Sequence, residues 1–144
     1  MWFNPIMAGL LRSPLHGLLS RGTMLITVRG RKTGRDVTTP VNYVRRGDEL
    51  MTVSFRSRTW WRNLRGGRPV NLLLSGRRRD AFASVTEADA EVARGLAEIV
   101  GQKPGYARAL GIALDSAGRP QPLDLARAAT RRVLITTELK PQPA

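Results

Sequence analysis

The chain has 144 residues, a length that suggests one domain able to bury a hydrophobic core without disulfides or a structural metal. It has no cysteine and one histidine, which excludes thiolate nucleophiles, iron–sulfur clusters and cysteine-ligated zinc, and its 42% hydrophobic content argues against disorder. Lysine and arginine number 24 against 11 acids, a formal charge of +13, so the expected partner is anionic: nucleic acid, an acidic membrane surface, or a small molecule rich in phosphate or carboxylate.

Residues 1–22 read as an N-terminal helical segment, rich in leucine and divided by Pro14. Without a basic start or an unbroken apolar run, it makes a poor signal peptide. It is expected to pack on the rest of the chain or over a ligand mouth, with a peripheral membrane contact through Arg12 and Arg21 as the alternative. No stretch is long and apolar enough to span a bilayer. The absence of cysteine fits a reducing cytoplasm, the expected location, with membrane association following only from that segment.

From residue 23 to 137 the pattern is one of short strands and tight turns, followed by a tail over 138–144. Strands are expected at 24–28, 37–45, 49–55, 70–75, 79–85 and 133–137. Gly47 supplies the turn of one hairpin, and Gly76-Arg77-Arg78 that of a second. Pro40 cannot donate to a ladder and so marks an edge strand or a bulge. A short helix at 59–65 should stop at Gly66-Gly67, and a longer one over 87–100 should start after Thr86 as N-cap. Residues 122–129 predict one more short helix. About six strands with interposed helices predict a single mainly β, α+β domain: a split β-barrel with an N-terminal helix.

Two segments carry the candidate chemistry. Gly30-Arg31-Lys32-Thr33-Gly34-Arg35 sets cations and a hydroxyl between two glycines, which lets backbone N–H groups turn toward an anion. It lacks the Walker spacing, and a solvated basic turn is the competing reading. The second segment runs from Ser54 through Arg56 to Trp60, Trp61 and Asn63. Adjacent tryptophans point about 100° apart on a helix, so one can fill the core while the other lines a pocket. Arg77-Arg78-Arg79 reads as a solvated turn, His16 as a packing or surface residue, and no metal site is expected. With no nucleophile-elbow sequence, any enzymatic reaction would be carried by a bound cofactor.

The order of Gly30–Gly34, Pro40-Val41 with Tyr43, then Trp60-Trp61-Arg62-Asn63-Leu64 resembles the deazaflavin-dependent nitroreductase family, also called quinone reductases, over roughly residues 11–137. The resemblance implies a flavin-binding split barrel and coenzyme F-420, a deazaflavin whose tail carries a phosphate and several glutamates, with FMN the less favoured ring. It implies that Arg31, Lys32, Thr33 and Gly34 hold the acidic tail, assisted by Arg35 or Arg56. Pro40 and Val41 would then lie near the ring, and Ser54, Trp60, Trp61 and Asn63 would wall it. Tyr43, Tyr106 and Ser54 are the implied catalytic contacts for hydride transfer to a quinone, nitro compound or activated alkene. The chain departs from the family where Arg56-Ser57-Arg58 replaces a longer loop bearing a cofactor-binding lysine. A barrel that binds a fatty acid or sequesters a flavin-type cofactor is therefore the alternative. Nucleic acid is disfavoured, because the cations lie on separate turns and no strand shows an RNA-binding aromatic pattern. A homodimer is compatible with the barrel type.

Overall fold

A computed structural model of the chain describes residues 22–30 and 32–141. Seven strands and four helices follow one another: β1 (Thr23–Arg29), β2 (Asp36–Asn42), β3 (Val44–Arg46), β4 (Glu49–Phe55), a 3-10 helix (Trp60–Leu64), β5 (Arg68–Leu74), β6 (Arg77–Thr86), α1 (Asp89–Gln102), α2 (Tyr106–Leu110), α3 (Pro122–Thr130) and β7 (Arg132–Leu139). They form one antiparallel sheet in the order β2-β1-β5-β6-β7-β4-β3. The sheet curls until β2 approaches β4, with no ladder between them among the described residues. This is a split β-barrel in an α+β setting, as the strand pattern predicts. The expected N-terminal helix lies outside the described residues, as do His16 and Arg31.

Alternation in the strands fills the barrel. Met24, Ile26 and Val28 of β1 face Val70, Leu72 and Leu74 of β5, and all are buried. Trp61 and Leu64 of the 3-10 helix plug one end of this core, at 1% and 0% exposure. A second apolar cluster lies outside the barrel, where Val92, Leu96 and Ile99 of α1 cover Met51 of β4 and Leu134 of β7. Gly95 makes that approach close, since a Cβ there would clash with Leu134.

Pro40 lies on an edge strand, exposed and opposite Leu25, so its missing donor costs no ladder bond. Three expectations need correction. The strand predicted over 37–45 breaks at Tyr43, whose N–H donates to the carbonyl of Gly22 (2.9 Å), giving β2 and β3 in its place. The second hairpin turns at Ser75-Gly76, both at positive φ (50° and 76°), so Arg77, Arg78 and Arg79 belong to β6 rather than to the turn. The long helix starts at Asp89 with Ala88 as N-cap and no side-chain cap: Thr86 is spent as the last residue of β6. The short α2, which follows Pro104-Gly105, has no counterpart in the sequence reading.

A candidate ligand pocket at the barrel seam

β3 covers only Glu49–Met51 of β4, so beyond that point β4 faces the end of β2 across an open seam. A cavity of about 290 Å³ lies there. One side is made by Pro40, Val41 and Tyr43 where β2 gives way to β3, and the other by Val53 and Phe55 of β4 with Trp60 behind them. Ile99 of α1 and Tyr106 of α2 close the outer wall. The volume is near the lower limit for small-molecule sites, enough for a ring system rather than for a whole large cofactor.

Six of the residues singled out in the sequence meet here: Pro40, Val41, Tyr43, Ser54, Trp60 and Tyr106. Trp60 is 6% exposed, and its Nε1–H donates to Ser54 Oγ (3.2 Å). The Ser54 hydroxyl in turn donates to the carbonyl of Phe55 (3.2 Å). Ser54 thus has its proton engaged and sets the pitch of the Trp60 ring, which makes it a positioning residue in this geometry. Burial, and then the nearby Tyr43, push the Tyr106 phenol above its ordinary value, so it holds its proton and stands as a hydrogen-bond donor at neutral pH.

Other residues from the sequence reading fall elsewhere. Trp61 is buried in the barrel core, with the Arg65 and Arg62 guanidiniums 5.1 and 5.8 Å from its ring centre, and does not line the cavity. The 3-10 winding sends consecutive side chains about 120° apart, so only Trp60 reaches the seam. Asn63 donates to the carbonyl of Trp60 (3.1 Å), bracing the helix rather than walling the cavity. Arg56 lies away from the cavity: its Nη2 is within 3.3 Å of the carbonyls of Glu87, Ala129 and Arg132 and of Asp89 Oδ1. It knots the start of α1 to the junction of α3 and β7.

The basic loop occupies the opposite end of β2. Gly30 N–H donates to the carbonyl of Arg35 (2.7 Å), Gly34 N–H to that of Gly30 (3.0 Å) and Arg35 N–H to Thr33 Oγ1 (3.2 Å). Gly34 takes φ +68°, which the turn requires. Those three N–H groups are satisfied within the loop, so an anion cradle of backbone donors, as the sequence suggested, is not what they form. Lys32 and Arg35 remain exposed, and neither has an ion-pair partner among the described residues. Gly34 and Pro40 stand six positions apart, with four of the five residues between them in β2, a span of about 20 Å.

Two charged residues of the pocket were given no site role in the sequence reading. Arg132 opens β7 opposite Phe55, and its guanidinium sits 4.7 Å from that ring. Arg58 stands exposed at the rim. The signal that would have found Arg132 is the β4–β7 register, which joins residues far apart in sequence. Among the described residues there is no cluster of three metal-ligating side chains and no helix long and apolar enough to cross a membrane.

Comparison with known structures places the fold. The chain matches a Listeria innocua protein named for pyridoxamine 5'-phosphate oxidase at TM-score 0.53 and 12% identity, covering 95% of this chain and 93% of that one. It matches a general stress FMN/FAD binding protein from Xanthomonas citri at TM-score 0.52 and 13% identity (92% and 86% covered). It matches an F-420-H(2)-dependent reductase, FDR-A, at TM-score 0.51 and 18% identity (82% and 96% covered). At these identities the likeness is one of fold. A search among curated proteins gives no match. The family model described as F-420H(2)-dependent quinone reductase covers residues 13–111, more than half of the sequence, and the chain belongs to that family.

Proposed function

We propose that the protein is a reductase that uses reduced coenzyme F-420 to reduce a quinone, nitro compound or activated alkene. The observation that carries this reading is the seam pocket, which gathers a tryptophan face, two phenols and the Pro40-Val41 backbone in a space sized for a ring system. The donor set fits a deazaflavin: flat apolar walls for the ring, hydroxyl donors at its edge, and cations outside for an acidic tail. When bound, the cofactor supplies the hydride. The protein's part is to clamp the ring beside Trp60, held at its angle by Ser54, and to exclude water with Ile99 and Tyr106. Tyr106, its proton retained by burial, is the residue that would donate a hydrogen bond or proton to the acceptor, with Tyr43 beside it. Lys32 and Arg35, with Arg31, would meet the acidic tail, whose extended length suits the separation between loop and pocket.

Packing of Trp61, Leu64, Leu72 and Ile135 fills the barrel, and a seam cavity of about 290 Å³ suits a ring better than a long acyl chain, so the lipid-binding alternative is the weaker one. The test is equilibrium titration with coenzyme F-420 and with FMN, followed by cofactor fluorescence at two salt concentrations. Tighter binding of coenzyme F-420, weakened by salt, is the expected result. Preference for FMN, or binding of neither, overturns it.

A further inference from the structure

Several arginines in this protein find carboxylates. Arg46 pairs with Glu98 (2.7 Å) and Glu49 (3.0 Å), Arg65 with Glu87 (2.9 Å), Arg56 with Asp89 (3.3 Å) and Arg119 with Asp115 (3.3 Å), all at partly or fully exposed positions. Arg132 differs. It is the one buried arginine among the described residues, at 9% exposure, and it has no carboxylate partner. Its contacts are a long bond from Nη1 to the carbonyl of Ala128 (3.3 Å) and the Phe55 ring. The rest of its fork has no acceptor among the described residues, and the side chain lines the seam cavity. Arg58 adds a second charge at the rim, and among the described residues no aspartate or glutamate lines the cavity.

A charge withdrawn from water without a counter-charge is costly, and a guanidinium stays protonated when buried rather than escaping by losing its proton. A ligand that brings an anionic oxygen relieves that cost, whereas a neutral ligand of the same shape displaces the water and leaves the cost standing. The planar fork suits a carboxylate, which can accept two parallel bonds.

We propose that Arg132, with Arg58 at the rim, is an anion-recognition subsite, and that the acceptor preferred by the pocket is a planar molecule carrying a carboxylate. This rests on the proposed reductase reading, with the acceptor entering the seam beside the ring that Trp60 holds, but its test does not need the cofactor. Wild-type protein is titrated with naphthalene-2-carboxylate and with the isosteric naphthalene-2-carboxamide, following tryptophan fluorescence. The carboxylate is expected to bind about tenfold or more tighter, as hydrogen bonds to a charged group imply, and the preference should survive added salt. Arg132→Met, which keeps the packing on Phe55, should bring the two ligands within about twofold of each other. Arg132→Lys should restore part of the preference. Because Arg132 also ties β7 to α3, thermal unfolding accompanies each variant. Arg58→Met, at an exposed position, keeps the test open should Arg132→Met fail to fold, and is expected to reduce the preference by a smaller factor.

Equal binding of carboxylate and carboxamide by the wild type overturns the proposal, as does a preference that persists in both methionine variants. A wild type without that preference, whose Arg132→Met variant loses affinity for coenzyme F-420, also overturns it, assigning the charge to the cofactor. Coenzyme F-420 binding without carboxylate preference leaves the reductase reading intact while this one fails. Carboxylate preference without coenzyme F-420 binding does the reverse.

Discussion

The two ends of β2 handle charge in opposite ways. At its start, Lys32 and Arg35 stand in water on a loop whose Gly30, Gly34 and Arg35 N–H groups donate to oxygens of the same loop. Their attraction for an anion is screened over a Debye length of about 8 Å at physiological salt. At its end, Pro40 and Tyr43 border a cavity lined by a buried arginine, Arg132, that has no counter-ion among the described residues. The net charge of +13 describes the first end and hides the second, because Arg132 counts there as one cation among 24. Where a charge sits, rather than how many there are, decides what it can select. The exposed end sets long-range attraction and salt sensitivity, and the buried end sets which ligand is accepted.

The sharpest way to break this division is through residues that the sequence groups together and the structure separates. Trp61→Ala should destabilise the protein by about 3–5 kcal/mol in urea unfolding, the cost of emptying a large core site. Trp61→Phe should cost far less, since Nε1 of Trp61 is buried without a partner among the described residues. If Trp61→Ala unfolds like the wild type but loses ligand, the core assignment fails. Arg56→Ala comes next, at about 2 kcal/mol, because it strips a donor from three part-buried carbonyls at once. Its ligand affinity should be unchanged, which a cofactor contact would contradict. Ser54→Ala should cost about 1 kcal/mol by leaving the Trp60 N–H without its acceptor. It should also weaken ring binding more than it weakens stability.

Much of this was legible in the sequence, for physical reasons that also mark where legibility ended. Alternation exposed the strands, because one face of each must be apolar. Pro40 announced an edge, because it has no N–H to give. The order of short motifs pointed to the family, and six pocket residues came with it. What failed were statements that depend on partners distant in the chain. Thr86 looks like an N-cap from its neighbours alone, but pairing with Leu134 keeps it in β6. Arg56 looks like a ligand contact until α1 and β7 arrive and take its donors. Arg132 gains its meaning from a register that sets it across from Phe55, 77 positions earlier in the chain.

Acidity at the buried end gives a further test. The Tyr106 phenol is raised from an ordinary 10.0, so its proton is present throughout the neutral and moderately alkaline range. The sign follows: reductase activity that depends on this donor should hold as pH rises and fall only above the usual tyrosine range. Tyr106→Phe should lower turnover more than it weakens cofactor binding, and should remove that alkaline limb from the pH profile. A limb that stays in Tyr106→Phe assigns it to another group.

The smallest effect on the fold is expected at the exposed end. Lys32→Ala with Arg35→Ala removes two solvated cations, and the melting curve should stay within about 0.5 kcal/mol of the wild type, as for most surface changes. Neither side chain supplies a described ion pair, and the loop closes through backbone bonds that alanine keeps. Affinity for a polyanionic tail should nevertheless fall, and the slope of affinity against salt should flatten, since fewer charges then meet the ligand. The preference for carboxylate over carboxamide in the pocket should not move, because that small ligand cannot span the roughly 20 Å to the loop. A double variant that loses the pocket preference as well would show that the two ends of β2 act together on one ligand site. A variant that changes neither slope nor affinity would leave the loop a solvated turn and move the acidic tail to another part of the surface.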